Sequence, residues 1–323
     1  MTSLPHHLMG RDLLTASDLN VNEIEFLFGI ARIFSTSLQA GLSIPLLKGK
    51  TIVNLFFEES TRTRLSFEQA IRKLEGTSLN FSASHSSLSK GESAIDTAQN
   101  IEAMNPHALI VRHSSSGSSK ILSDFVKIPV INAGDGFHEH PTQALLDVFT
   151  IIEKKEHIKG KNILILGDIA HSRVARSNIH FLNMLGANIF VSGPPTLMPP
   201  RLDVLKVTYV PFPENILSKI DVVMALRIQK ERHDNLQFPS ISEYSKFWGL
   251  NQSRSKLLQK NAIILHPGPI NRGVELDPEV ADGPHSVILD QVKNGILIRM
   301  ALLSSICNAN GLQMWLKNEG HNV

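Results

Sequence analysis

The 323 residues are enough for two domains of ordinary size with a core in each. Lys and Arg number 32 against 30 Asp and Glu, and the resulting charge of +2 excludes a strong global field for nucleic acid or a membrane surface. Cys307 is the only cysteine, which excludes an internal disulfide and a cysteine-based zinc site.

Met1 to His7 lacks the order of charge followed by apolar core that marks an export signal, and no apolar run is expected to reach membrane-spanning length. A soluble, cytoplasmic protein with no membrane or nucleic-acid partner is the expectation. Cap-type residues from Thr15 to Asn20 precede apolar positions Ile24, Leu27, Phe28 and Ile33, the pattern of an amphipathic helix. Thr51 to Phe57 is short, apolar and β-branched, and reads as a buried strand. Phe67, Ala70, Ile71 and Leu74 then recur at helical spacing, with Gly76 as the expected stop. Between strand and helix lies Ser60-Thr61-Arg62-Thr63-Arg64. A helix start carries unpaired N–H groups and positive potential, and the hydroxyls and guanidinium add donors, so the string suits a phosphate. An ordinary serine cap with solvated arginines would look the same from these residues alone.

A second strand is expected from Thr77 to Phe81. Ser82 to Ser93 is serine-rich with Lys90, Gly91 and Glu92, and reads as a surface loop. Ala108 to His113 is a strand that delivers Arg112 to its C-terminal end, where open α/β sheets bind ligands. Pro129 to Ala133 is another, followed by a glycine-bearing loop into His138-Glu139-His140-Pro141-Thr142-Gln143. Pro141 fits a first helical position, which puts His140 and Gln143 at one helix start. His138 and His140 alone do not make a metal site, since no third ligand stands near them, and no metal or cofactor is expected.

A helix through Thr150 to Glu156 should lead into a second domain, with strands at 161–168, 188–191, 207–210, 221–227 and 262–265 separated by helices such as Ser172 to Leu185. This alternation predicts an α/β protein of two doubly wound domains with mainly parallel sheets. Gly167-Asp168 lacks the glycine spacing of a dinucleotide site. Arg173 near a helix start and Arg227 leaving a strand form a pair of forks suited to a dicarboxylate. Ser240 to Gln259 is polar and reads as a loop able to close over substrate, and helices after Ser286 should return the tail to the first domain. Cys307 falls in the last of these and reads as a buried, inert thiol.

Ser60-Thr61-Arg62-Thr63-Arg64, His140-Pro141-Thr142-Gln143-Ala144-Leu145-Leu146-Asp147 and His266-Pro267-Gly268-Pro269 together resemble the aspartate/ornithine carbamoyltransferase family over nearly the whole chain. Lys90 and the Asp168 to Arg173 string resemble the aspartate branch; ornithine-type members carry His-Cys-Leu-Pro where this chain has His266-Pro267-Gly268-Pro269. The form Gly268-Pro269-Ile270-Asn271-Arg272-Gly273 departs from the Leu-Pro-Arg of some aspartate enzymes. The resemblance implies domains at 1–145, completed by a helix at about 300–323, and 146–299, with an active site in the cleft between them. It implies carbamoyl phosphate binding by Ser60, Thr61, Arg62, Thr63, Arg112, His140, Gln143, Gly268 and Pro269, with catalysis by Arg62, Thr63, Arg112, His140 and Gln143. L-Aspartate would be bound by Arg173, Arg227, Gln229 and by Lys90, which, with Ser86 as a second candidate, would reach in from a neighbouring subunit of a homotrimer. The implied reaction is carbamoyl transfer to aspartate, an early step of pyrimidine synthesis. An ornithine-type transferase, or a silent scaffold on the same fold, are the alternatives, and a regulatory chain or a dihydroorotase partner is left open.

Overall fold

The computed structural model describes residues 7–82, 92–228 and 240–321. Lys90, Ser86 and Gln229 lie outside these ranges. The chain divides into two compact units, 1–145 with 293–323, and 146–292. The C-terminal return to the first unit thus begins at Lys293, some residues before the expected point near 300.

The first unit holds a parallel sheet of β1 (Thr51–Phe56), β2 (Thr77–Ser82), β3 (Ala108–His113) and β4 (Val130–Asp135), in the order β2-β1-β3-β4. Val53, Leu55, Leu109, Val111 and Val130 meet in one buried cluster, which explains why these strands read as continuous apolar runs. Helix α1 (Val21–Gln39) begins at a capping box in which Asn20 and Glu23 satisfy each other's backbone N–H groups. Helix α2 (Thr61–Lys73) follows β1. Its end differs from the sequence expectation: Glu75, at φ 58°, takes the left-handed position, and Gly76 follows it. Gly76 N–H bonds to the Ile71 carbonyl and Glu75 N–H to that of Arg72, a Schellman closure. Gly76 is required for closeness instead, since a Cβ there would lie 2.8 Å from Cβ of Leu47. Shorter helices α3 (Ala94–Glu102) and α4 (Ser118–Ser123) flank β3.

Helix α5 (Pro141–Lys155) starts at Pro141 as expected and carries the chain from the first unit into the second. The second unit orders its parallel strands β7-β6-β5-β8-β9, with β5 at Asn162–Leu166, β6 at Asn188–Ser192, β7 at Thr208–Tyr209, β8 at Val222–Ala225 and β9 at Ile263–Leu265. Helix α6 (Arg173–Met184) follows β5, with Ser172 as its N-cap bonded to Ala175 N–H. The segment expected to be a loop contains helices α7 (Ile241–Phe247) and α8 (Gln252–Ser255) instead, each capped by a side chain, Ser240 and Asn251. Tyr244 and Trp248 explain the difference, because both enter the second unit's core and Trp248 donates Nε1–H to the Pro211 carbonyl. Burial of two large aromatic side chains outweighs the polar composition around them. A short helix, α9 (Pro278–Ala281), precedes α10 (Ile288–Asn318).

Helix α10 corrects another expectation, since it is long and apolar enough to cross a membrane by length and composition. Within the protein, however, 72% of its most apolar stretch is buried. From Lys293 onward it packs on the first unit: Arg299 donates to Ser66 Oγ at 2.7 Å and lies 4.8 Å over the Phe67 ring of α2, and Asn308 Nδ2 bonds to the Leu46 carbonyl. Cys307, expected to be buried, is half-buried, and the desolvation it has pushes its thiol up to about 12.

Candidate active site

In a doubly wound sheet, the ligand crevice opens where consecutive connections run to opposite sides, outside the strands' C-terminal ends. In the first unit the chain passes from β1 to β2 on one side and returns to β3 on the other, so the switch lies between β1 and β3. Phe56 pairs with Arg112 across it. The Ser60 to Thr63 turn leaves β1 here, and Arg112 sits at the end of β3. The topology thus gathers residues that stand some fifty positions apart in sequence.

Ser60 occupies the N-cap of α2 in an extended conformation, yet its hydroxyl makes no capping bond. The caps of α1, α3, α6 and α7 (Asn20, Ser93, Ser172 and Ser240) all do. No acidic side chain stands in the first turn of α2. The helix opening therefore keeps the donor character that suits an anion. Thr63 is buried, while Thr61 and Arg62 are exposed. Arg112 is held from two sides: one terminal nitrogen donates to the Ala133 carbonyl at 3.1 Å, the other to Glu58 at 3.2 Å. Two bonds fix the planar guanidinium at the strand end with its charge partly balanced.

His140 is buried immediately before α5, and its carbonyl accepts from the N–H groups of Gln143 and Ala144. The loop that leads to it is fixed by a buried pair that the sequence reading missed. Asp135 accepts from the backbone N–H groups of Gly117 and Glu139 and from Asn132 Nδ2, and contacts His138 Nδ1 at 3.1 Å. Asn132 in turn donates to the Leu14 carbonyl and accepts from Gly134 N–H. His138 is thus a partner of Asp135, and among the described residues no cluster of three His, Cys, Asp or Glu side chains is placed to hold a metal ion.

The second unit repeats the device. Its chain runs from β5 to β6 and β7 on one side and returns to β8 on the other, so the switch lies between β5 and β8. Arg173 follows β5 as the first residue of α6 and is buried; Arg227 follows β8 by two positions. The two forks therefore flank one switch point. Gly167 draws their carriers together, because Leu226 N–H bonds to the Leu166 carbonyl at 2.8 Å and a Cβ on Gly167 would lie 3.0 Å from Leu226 Cβ. At φ +136° this position also favours glycine conformationally. Asp168 accepts His171 N–H and contacts His171 Nδ1, closing the turn between Gly167 and Ser172. Tyr244 lies against Gly167, and its phenol is pushed up by burial, with the negative charges of Glu275 and Asp168 adding to the effect.

Gly268 and Pro269 follow β9 in a turn organised by His266. His266 Nδ1 accepts from Gly268 N–H at 2.8 Å, its backbone N–H donates to Gln291 Oε1, and Nε2 contacts the buried carboxylate of Glu275 at 3.2 Å. Gln291 Nε2 donates to Asp147, which also accepts from Asn178 of α6, both at 2.8 Å. Asp147 therefore ties the Gly268 turn and the helix headed by Arg173 to α5, four residues after Gln143. No sequence signal marks these contacts, since Gln291 and Asp147 are 144 positions apart.

The two units match two family models in order. Residues 11–153 match the aspartate/ornithine carbamoyltransferase carbamoyl-P binding domain, and 159–306 the Asp/Orn binding domain. The aspartate carbamoyltransferase catalytic subunit of Syntrophus aciditrophicus is 49% identical over 93% of this chain and 98% of its own length. That of Acetivibrio thermocellus is 51% identical over 92% and 95%. Aspartate transcarbamoylase from Trypanosoma cruzi, solved with carbamoyl aspartate and phosphate, superposes with a TM-score of 0.87 at 30% identity, covering 93% of this chain and 97% of that one. The same enzyme solved with N-(phosphonacetyl)-L-aspartic acid gives 0.86 at 30%, with the same coverage. With both domain models satisfied in sequence order, and with relatives about 50% identical over nearly the whole chain, the chain belongs to the aspartate/ornithine carbamoyltransferase family.

Proposed function

We propose that this chain transfers the carbamoyl group of carbamoyl phosphate to the α-amino group of L-aspartate, giving N-carbamoyl-L-aspartate and phosphate. The observation that carries the reading is the double switch point: a hydroxyl-rich helix opening with Arg112 in one unit, and the Arg173 and Arg227 pair in the other. The first suits a singly substituted phosphate, such as the acyl phosphate of carbamoyl phosphate, the second a molecule with two carboxylates. The identity of the relatives supports aspartate over ornithine, whose side chain would bring a cation toward Arg227.

Ser60, Thr61, Arg62 and Thr63 hold the phosphate with Arg112, and Arg173, Arg227 and Gln229 hold the carboxylates of aspartate. The amine attacks the carbonyl carbon, and a tetrahedral oxyanion forms. Thr63, Arg112 and His140 stabilise that oxygen, a type of contact whose loss costs about a hundredfold or more in rate. Gln143, with backbone oxygens near Gly268 and Pro269, orients the carbamoyl amide. The bond from carbon to the phosphate oxygen then breaks, and the proton lost by the amine leaves with the phosphate. No side-chain nucleophile is needed, so proximity and charge stabilisation carry the rate. Lys90 completes the site from a neighbouring subunit, which makes a homotrimer the functional unit, working in the cytoplasm and supplying carbamoyl aspartate for pyrimidine synthesis.

The test offers carbamoyl phosphate with aspartate and, separately, with ornithine, and identifies the product by mass. Carbamoyl aspartate is expected. Citrulline from ornithine, with aspartate left unreacted, would overturn the reading.

A further inference from the structure

Asn271 lies three residues after Gly268, outside every group assigned above, and its side-chain amide spends both hydrogens. Nδ2 donates to the Ile228 carbonyl at 3.0 Å and to Glu275 Oε2 at 3.2 Å. Its backbone N–H donates to Glu275 Oε1 at 2.6 Å. Glu275 is fully buried, and Oε1 also faces His266 Nε2. The His266 tautomer follows from its other nitrogen: Nδ1 accepts from Gly268 N–H, so the ring proton sits on Nε2 and is given to Glu275. One carboxylate thereby collects three donors from the turn that bears Gly268 and Pro269.

Ile228 directly follows Arg227. On the other side of that arginine, Leu226 is pinned by its N–H bond to Leu166 and by contact with Gly167. Arg227 is therefore suspended between two fixed residues, and the downstream fixture is the amide of Asn271. We infer that Asn271 is a positioning residue for aspartate recognition, which locks Arg227 and the Gly268-Pro269 turn into a single register, with Glu275 as its buried anchor. The inference rests on the reading of Arg227 as an aspartate ligand and goes beyond it by naming what aims that ligand. Neither side chain is required to touch substrate. Asn271 acts through the Ile228 carbonyl, so its influence falls chiefly on aspartate affinity, whereas Glu275 also holds the Gly268-Pro269 turn.

Two variants test this. Asn271→Ala removes both amide bonds. Glu275→Gln removes no atoms of volume, yet it places an NH2 group opposite Asn271 Nδ2; if the Asn271 amide turns to accept from it, an oxygen is brought against the Ile228 carbonyl. Steady-state kinetics in each substrate, melting temperature and product identity are measured for wild type and both variants. The expected result is an aspartate KM raised about tenfold in each, a displacement effect on a bound ligand. KM for carbamoyl phosphate should rise less than KM for aspartate in Asn271→Ala, which leaves Glu275 bonded to His266 and to the residue 271 backbone N–H, while Glu275→Gln, which also loosens the Gly268-Pro269 turn, should raise both. If Asn271→Ala does not fold, the isosteric Glu275→Gln carries the test. Folded variants with an unchanged aspartate KM would overturn the inference, as would equal losses in every parameter that track melting temperature. A wild-type enzyme that leaves aspartate unreacted would instead refute the assignment of substrate, a separate outcome.

Discussion

A single methyl group at Gly167 should weaken aspartate use without touching a ligand. Gly167 stands at φ +136°, and an added Cβ would sit 3.0 Å from Leu226 Cβ, 3.3 Å from the Tyr244 hydroxyl oxygen and 3.4 Å from the Leu226 carbonyl oxygen. Alanine at such a backbone angle costs about 1–3 kcal/mol. The contact adds to that cost, because Leu226 Cβ belongs to the strand end and cannot swing aside as a side-chain tip would. Relief to an ordinary separation moves Leu226 by roughly a few tenths of an ångström. Arg227 is the next residue, so the displacement is passed to the guanidinium proposed to hold an aspartate carboxylate. Misplacement of about 1 Å can cost about a hundredfold, and a shift of this size should cost about three- to tenfold in kcat/KM for aspartate. Saturating carbamoyl phosphate with varied aspartate measures it, alongside the melting temperature. A folded Gly167→Ala enzyme with wild-type kcat/KM for aspartate would refute the coupling between the β5 turn and Arg227.

Asp147→Asn keeps shape but opposes a donor to the amide of Asn178 or of Gln291 in a fully buried site, which should cost about 2–4 kcal/mol. For a unit of this size that is a fall of roughly 5–12 °C in melting temperature, read by calorimetry. Arg62→Ala, at an exposed position on α2, should fold with an unchanged melting temperature and lose carbamoyl transfer; unchanged turnover would remove Arg62 from the phosphate site. Burial holds His107 and His113 below the usual 6.5, with the nearby Lys50 adding to the effect at His107, and His107 Nδ1 accepts Thr51 N–H. Between the folded value and 6.5 the unfolded chain binds more protons, so stability is full above 6.5 and falls as pH drops through the depressed folded values. Replacing both histidines by Gln should flatten the slope of melting temperature between pH 6.5 and 5.

The alternation of strands and helices was readable because strands β1, β3, β4, β5, β8 and β9 are buried along most of their length and several helix starts carry a capping side chain. The positions of Arg112, Arg173 and Arg227 in the fold were readable for a related reason, since a charged residue at a strand end or helix start is a local signal. Gly76 misled because glycine meets two needs, left-handed backbone and close approach; here Glu75 takes the first and Gly76 the second. The 240–259 segment misled because two aromatic side chains decide its burial, against the polarity of the rest. The residues that brace the site left no trace in the sequence. Asn132 with Asp135, Asp147 with Gln291, and Asn271 with Ile228 and Glu275 are partnerships of the folded chain, and an isolated Asn or Asp reads as a turn residue.

The proposed function requires that the hydroxyl and guanidinium groups proposed for phosphate and the arginine pair proposed for aspartate serve one substrate pair. Calorimetric titration with N-(phosphonacetyl)-L-aspartate, which joins a phosphonate to aspartate in one molecule, tests it most directly. One molecule should bind per chain, and Arg62→Ala and Arg227→Ala should each weaken binding by about 30-fold or more. An affinity that falls in one variant and is untouched in the other would contradict the account.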